Sequence, residues 1–331
     1  MAWPPGPRDW PVKFAAIPWV FAELARKLAP FERLRLVVAS SAVAAQARAV
    51  LSQAGAPLDR IEFLTIPISR NWLRDVGPIF GFDADGRRAV LHFRFTAWGK
   101  YKAFRTDERV PAAAAAARGL PAVEPERGGR RIVLEGGAFD VNGAGDALAT
   151  EECLLDETVQ PRNPGWTRGD YAAAFGEWLG AANILWLGRG IAGDDDTHGH
   201  VDDVARFVGP RTIVLARESD PADPNYAPLE ENRERLEGAR LADGARPEVV
   251  ALPMPRPIAF RGRRLPASYA NFFIGNGVVL APTFNDPADR AALGILAELF
   301  PDRTVIGIHA VDLALGLGAV HCLLHEEPAP A

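Results

Sequence analysis

The chain has 331 residues, 48% of them apolar and 24% charged, with a formal net charge of −5. That balance supports a sizeable core and argues against a nucleic-acid partner held through its phosphates, which needs clustered Lys and Arg. No apolar run reaches membrane-spanning length, the amino end lacks the basic-then-apolar order of a secretory signal, and the two cysteines, Cys153 and Cys322, lie too far apart in sequence to suggest a disulfide framework; the expectation is a cytoplasmic protein.

From Ile17 to Leu28, Val20, Phe21, Leu24, Ala25 and Leu28 recur at helical spacing until Pro30 stops the pattern. Leu34–Ala39 reads as a buried strand, Ala42–Ala54 as a helix ending near Gly55, and Ile61–Ile68 as a second strand. A hairpin follows, Gly77–Phe82 and Arg88–Phe95 around Gly86, then a helix near Asp107–Arg118. Arg131–Val141 and Asp146–Ala149 form the next hairpin, ahead of the helix Asp170–Leu179 and the strand Asn183–Leu187. The order returns twice more. Asp203–Val208 and Thr212–Ala216 precede a helix within Leu229–Leu241 and the strand Glu248–Leu252; Tyr269–Ile274 and Val278–Pro282 precede the helix Pro287–Phe300 and the strand Thr304–Ile308.

The turn glycines Gly86, Gly143, Gly209 and Gly277 therefore recur at intervals of about 60–70 residues, each interval holding hairpin, helix and strand. Four such ββαβ units, with a remainder split between Ala319–Leu324 and the amino-terminal elements, predict a single α/β domain over residues 1–331. Its architecture is a five-bladed α/β propeller closed by its termini. An open α/β sheet with antiparallel edges is the alternative.

Chemistry gathers in Asp194-Asp195-Asp196-Thr197-His198-Gly199-His200-Val201-Asp202, four carboxylates and two imidazoles between apolar runs. Three readings fit this stretch alone. It is a solvated acidic loop turned by Gly193 and Gly199; or His198, His200 and Asp202 are ligands of a divalent metal on one face of an extended strand; or His200 is a general acid/base and Asp202 binds a cation.

Its place in the repeat bears on the choice. Asp75 lies before the first hairpin, Glu135 on the second, His200 and Asp202 before the third, and Cys322 on the last strand. Around a common axis these positions would converge. A thiol is a strong nucleophile when a cationic neighbour lowers its pKa, His200 can take and return a proton, and Glu135 can orient it. Asp75 and Asp202 then complement a planar, forked cation, the guanidinium group. Singly, each residue has a plainer role: Cys322 a core thiol, Asp75 a partner of Arg74, Glu135 an acceptor for the amides of Gly136 and Gly137.

The chain resembles the agmatine deiminases of the guanidine-modifying, pentein-fold superfamily, peptidyl-arginine deiminase type. The likeness rests on Trp72-Leu73-Arg74-Asp75-Val76-Gly77-Pro78, Leu134-Glu135-Gly136-Gly137, Thr150-Glu151-Glu152-Cys153-Leu154-Leu155 with Arg162-Asn163-Pro164, the 194–202 stretch, Ala267-Ser268-Tyr269-Ala270-Asn271-Phe272, and Asn285-Asp286-Pro287 with Phe300-Pro301-Asp302-Arg303. The resemblance implies Cys322 as nucleophile, His200 as acid/base with Glu135, Asp75 and Asp202 clamping the guanidinium, and Trp72 and Arg74 as substrate-binding residues. It implies no metal or organic cofactor, a small guanidine substrate and a homo-oligomer, with agmatine converted to N-carbamoylputrescine and ammonia on the way to polyamines. Arginine, methylated arginine or peptidyl arginine is the alternative substrate, and a non-catalytic binding module the alternative class. The chain departs from the family at Leu317 and Ala319 beside the nucleophile and at His198, and it starts late, ahead of Ala2-Trp3-Pro4. These departures bear on the substrate's tail and on one blade. Packing is the expected role of Cys153.

Overall fold

The structure, a computed structural model, describes residues 1–329. The chain forms two compact units, one from Met1–His92, Ala103–Val123 and the chain from Asn271 onward, the other from Phe93–Lys102 and Glu124–Ala270.

In the first unit the helix Ile17–Leu28 buries Ile17, Phe21, Leu24, Ala25 and Leu28, one face of a 3.6-residue period, with Pro18 in its first turn. Leu34–Val38 pairs in parallel with Ile61–Thr65, joined by the helix Ser41–Gln53, whose first turn is capped by the Ser40 side chain accepting from the Val43 amide. Ala2 bridges to Val37 in parallel, so the amino-terminal residues flank this pair. Two three-stranded sheets complete the unit. Ile79–Phe82 runs antiparallel to Arg88–Leu91, which pairs in parallel with Ala122–Val123 after the helix Val110–Arg118. Phe273–Gly275 runs antiparallel to Val278–Thr283, which pairs in parallel with Thr304–His309 after the helix Ala288–Leu299.

The second unit repeats this arrangement twice. Its first sheet is Phe139–Val141, Asp146–Thr150 and Asn183–Leu187, with the helix Arg168–Leu179 between the last two strands. Its second is Ala205–Phe207, Thr212–Arg217 and Glu248–Pro253, with the helix Tyr226–Gly238. The middle strand of each sheet has the most continuous burial: all five residues of Asp146–Thr150 and four consecutive residues of Thr212–Arg217 are inside. Flanked by strands on both edges, such a strand reads as a continuous apolar run between polar ends, here residues 147–149 and 213–216. Leu148, Leu185, Leu187, Val201, Val204, Ile213 and Leu215 share one core, which anchors the 194–202 stretch at its downstream end.

Three expectations about local structure change. Arg131–Val141 is not one strand: Arg130–Arg131 pairs with Glu126–Arg127, the chain turns at Glu135–Ala138, and the sheet strand starts only at Phe139. Residues 198–202 are not extended, because His198 and Gly199 both take positive φ and Val201–Asp203 forms a 3-10 turn. Cys322 lies not on a strand but in the one-turn helix Val320–Leu323. Its own amide and that of His321 find their acceptor in the Asn271 side chain, His321 also in the Asn271 carbonyl, rather than in a neighbouring strand, which removes the reason for a sheet there.

Candidate active site

Each repeated element delivers its chemical residue from the turn just ahead of its first strand. In the first unit Asp75 sits on the one-turn helix Leu73–Val76, immediately before Ile79–Phe82, and is almost wholly buried. That helix packs against the Cys322 helix. Asn271, ahead of Phe273–Gly275, donates its Nδ2–H to Cys322 Sγ at 3.2 Å, while its Oδ1 accepts the His321 amide at 2.9 Å and the Cys322 amide at 3.4 Å. One buried amide thus fixes the turn that carries the thiol and offers the sulfur both a donor and, at 3.5 Å, an acceptor. Trp72 lies under this turn: a Cβ on Gly318 would meet its ring at 2.6 Å, and one on Gly316 would meet Trp10 at 2.5 Å. Close approach of two indoles therefore requires glycine at both positions. Leu317 between them holds φ +71, a conformation that costs a leucine about 1–2 kcal/mol. Arg74 is engaged with both oxygens of Glu326 and with the His321 carbonyl.

In the second unit His200 and Glu135 are both buried, with Nε2 of the imidazole 3.7 Å from a Glu135 oxygen. Asp202, fully buried, follows on the 3-10 turn and donates its amide to the Gly137 carbonyl, which ties the two loops together. Burial alone pushes the Glu135 carboxyl up, but the Arg162 guanidinium and then the His200 imidazole more than offset it and hold it below the usual carboxylate range. Asp194 organises the His200 loop from inside: it accepts from the Thr197 amide and hydroxyl and from the amides of Gly199 and His200. Burial pushes its carboxyl up, and the His200 charge and these hydrogen bonds offset that only in part.

The sequence reasoning assigned no role to Asn271, Arg162 or Asp194. A lone amide in the apolar run Tyr269-Ala270-Asn271-Phe272-Phe273 was the available signal for the first. Nothing in the local sequence marks Arg162 as fully buried.

His198 does not turn inward with His200. Its Nε2 bonds to Asp156 at 2.8 Å, so His198, His200 and Asp202 do not form the ligand set that alternate strand positions would have made. Asp156 also accepts from the Thr158 amide and hydroxyl and from the Val159 amide; these bonds, with that of His198, hold its carboxyl well below the usual range. Cys153 is buried, its amide capped by Thr150 Oγ1. Its sulfur, a Glu135 oxygen and a His200 nitrogen lie within 4.8 Å of one another. Arg162 lies on both Glu135 oxygens, so the carboxylate of this trio already has a cation against it.

The sequence pattern of the Porphyromonas-type peptidyl-arginine deiminases matches residues 1–328. An agmatine deiminase of Pseudomonas fluorescens is 34% identical over 353 residues, spanning 100% of this chain and 92% of that protein. Among solved structures, the agmatine deiminase of Enterococcus faecalis superposes with a TM-score of 0.87 at 28% identity, covering 100% of this chain and 93% of that one. A cysteine-to-serine variant of C. jejuni agmatine deiminase with substrate bound gives 0.83 at 27% identity, covering 97% and 90%. The fold is the α/β pentein fold of these enzymes.

Proposed function

The chain belongs to the Porphyromonas-type peptidyl-arginine deiminase family, and from that premise we propose that it hydrolyses agmatine to N-carbamoylputrescine and ammonia. The reading takes the whole chain as one catalytic domain. The Cys322 thiolate attacks the guanidinium carbon, forming a C–S bond and a tetrahedral centre. The C–N bond to a terminal nitrogen then breaks, and that nitrogen leaves as ammonia with a proton from the His200 imidazolium. Water, deprotonated by His200, adds to the amidino-thioether; the C–S bond breaks, the thiolate returns and the ureido product departs. Glu135 supports the imidazolium charge, and Asp75 and Asp202 accept the guanidinium N–H groups. Trp72 supports the nucleophile's turn, and Arg74 braces it through the His321 carbonyl and Glu326.

The observation that carries this reading is the environment of the sulfur: a buried thiol on a one-turn helix, given a side-chain N–H at 3.2 Å and packed beside the helix that bears Asp75. The substrate-bound C. jejuni relative, which carries serine for a cysteine, adds support.

The test is a panel of agmatine, free arginine, methylated arginine and a peptidyl arginine, assayed for ureido product and ammonia. Agmatine turnover exceeding that of the others, abolished in Cys322→Ala and unaffected by chelators, is expected. Turnover of an arginine compound but not of agmatine overturns the substrate assignment. Full activity in Cys322→Ala overturns the chemistry.

A further inference from the structure

Arg162 and Glu135 have no exposed side-chain surface, an expensive place for an ion pair. Arg162 Nε lies 3.1 Å from each Glu135 oxygen, so one N–H is shared by the whole carboxylate. Its other two nitrogens serve the backbone: Nη1 donates to the Gln160 carbonyl at 2.8 Å and Nη2 to the Thr197 carbonyl at 2.7 Å. Thr197 is the residue that Asp194 grips, three positions before His200, and Asp194 also takes the His200 amide. Gln160 in turn donates to the carbonyls of Trp98 and Asp196, fastening the same loop from its other side. One guanidinium therefore contacts both the carboxylate facing the imidazole and the main chain that carries the imidazole. Lysine, with a single nitrogen, cannot span these three acceptors.

We infer that Arg162 is a positioning residue for proton transfer: it sets the separation of the Glu135 carboxylate from the His200 imidazole by holding both, and keeps that carboxylate available as an anion. The inference rests on the reading of His200 as the group that moves protons. Without the guanidinium, the buried Glu135 would take up a proton and stop supporting the imidazolium. Arg162 thus controls the charge state of the Glu135 carboxyl separately from the contacts it makes to the loop.

The experiment compares the wild-type chain with Arg162→Lys, Arg162→Met, Glu135→Gln and the double variant Arg162→Met/Glu135→Gln, using whichever guanidine compound the wild type turns over. Arg162→Lys keeps the charge and loses the fork, so kcat falls about tenfold with KM within about twofold and the pH profile in place. Arg162→Met loses about a hundredfold or more, and the acid limb of kcat/KM moves to higher pH. The double variant removes both buried charges and so retains the fold if Arg162→Met alone does not; it is expected within about threefold of Glu135→Gln, because Arg162 acts through Glu135. Losses that multiply in the double variant, or wild-type kinetics in Arg162→Lys, overturn the inference. Infrared difference spectra supply a readout free of activity, so a wrong substrate assignment and a wrong role for Arg162 fail separately. A protonated carboxyl band near neutral pH, present in Arg162→Met and missing from both Arg162→Lys and the double variant, is expected; its absence from Arg162→Met overturns the charge role.

Discussion

At the scale of single residues, Asn271 and His198 show how side chains set the reactive groups. Asn271 combines a donor to Cys322 Sγ with an acceptor for the amide of His321. Asn271→Asp keeps the acceptor and replaces the donor by a carboxylate. An anion beside the sulfur disfavours the thiolate, so the pH midpoint for alkylation of Cys322 by iodoacetamide should rise by about one unit or more. An unchanged midpoint would show that the amide only shapes the turn. His198 sits at φ +62 and reaches out to Asp156. Asparagine tolerates that conformation better than most residues but lacks the imidazole that reaches Asp156. His198→Asn should therefore leave agmatine kcat within about threefold while relaxing the 156–160 segment, read as faster amide exchange at Thr158 and Val159; a far larger loss of kcat would place His198 in the chemistry. These roles were only half legible in the sequence. The spacing of Asp75 and His200 against the repeat was visible, and the structure puts both ahead of a first strand; Glu135, expected on its hairpin, lies in the turn before that strand as well. What Asn271 and Arg162 do was not, because it depends on partners 51 and 27 positions away.

At the scale of elements, the repeat was legible because helix and strand periods differ and each unit alternates them. The helix Ile17–Leu28 and the strand Asn183–Leu187 fall where periodicity puts them. Errors collected at the junctions, where short polar turns carry the chemistry and no period of 2 or 3.6 applies. Helix ends give a separate test. The helix Arg168–Leu179 starts at Thr167, whose side chain accepts the Asp170 amide, and stops at Gly180, which takes φ +68 and donates its amide to the Phe175 carbonyl. A Cβ at Gly180 would meet nothing within 4 Å, so only backbone strain opposes a side chain there. Gly180→Ala should cost about 1 kcal/mol, seen as a lower urea midpoint at unchanged slope. A neutral result would mean that the helix end relaxes to another conformation at no cost.

Across the whole molecule, the charges near the carboxyl end make stability depend on pH. His325 has a side chain 9% exposed, and its ring nitrogens make no hydrogen bond among the described residues. Burial and then the Arg74 guanidinium push its imidazole down to about 3, with Glu326 offsetting them in part. In the unfolded chain the same group titrates near its ordinary value of about 6.5. Between those two values the unfolded chain holds a proton that the folded chain refuses, so stability is full above about pH 6.5 and drains away as pH falls through that window. Burial raises the Glu326 carboxyl, but Arg74 outweighs it and brings it down to about 2. The loss of stability from Glu326 therefore begins near its ordinary carboxylate value, below this window. Burial and then Arg74 also bring the Met1 amino group from 8.0 down to about 5, so it drains stability over the interval from pH 7 to 5 as well, and a His325 variant separates the imidazole's share. Over that interval the imidazole alone should lower the unfolding free energy by up to about 2 kcal/mol. His325→Gln, which cannot take the proton, should remove that share of the slope whatever its effect at pH 7. Urea titrations of both proteins at pH 7, 6 and 5 read the difference directly, and parallel slopes would mean that the folded chain protonates His325 as readily as the unfolded one.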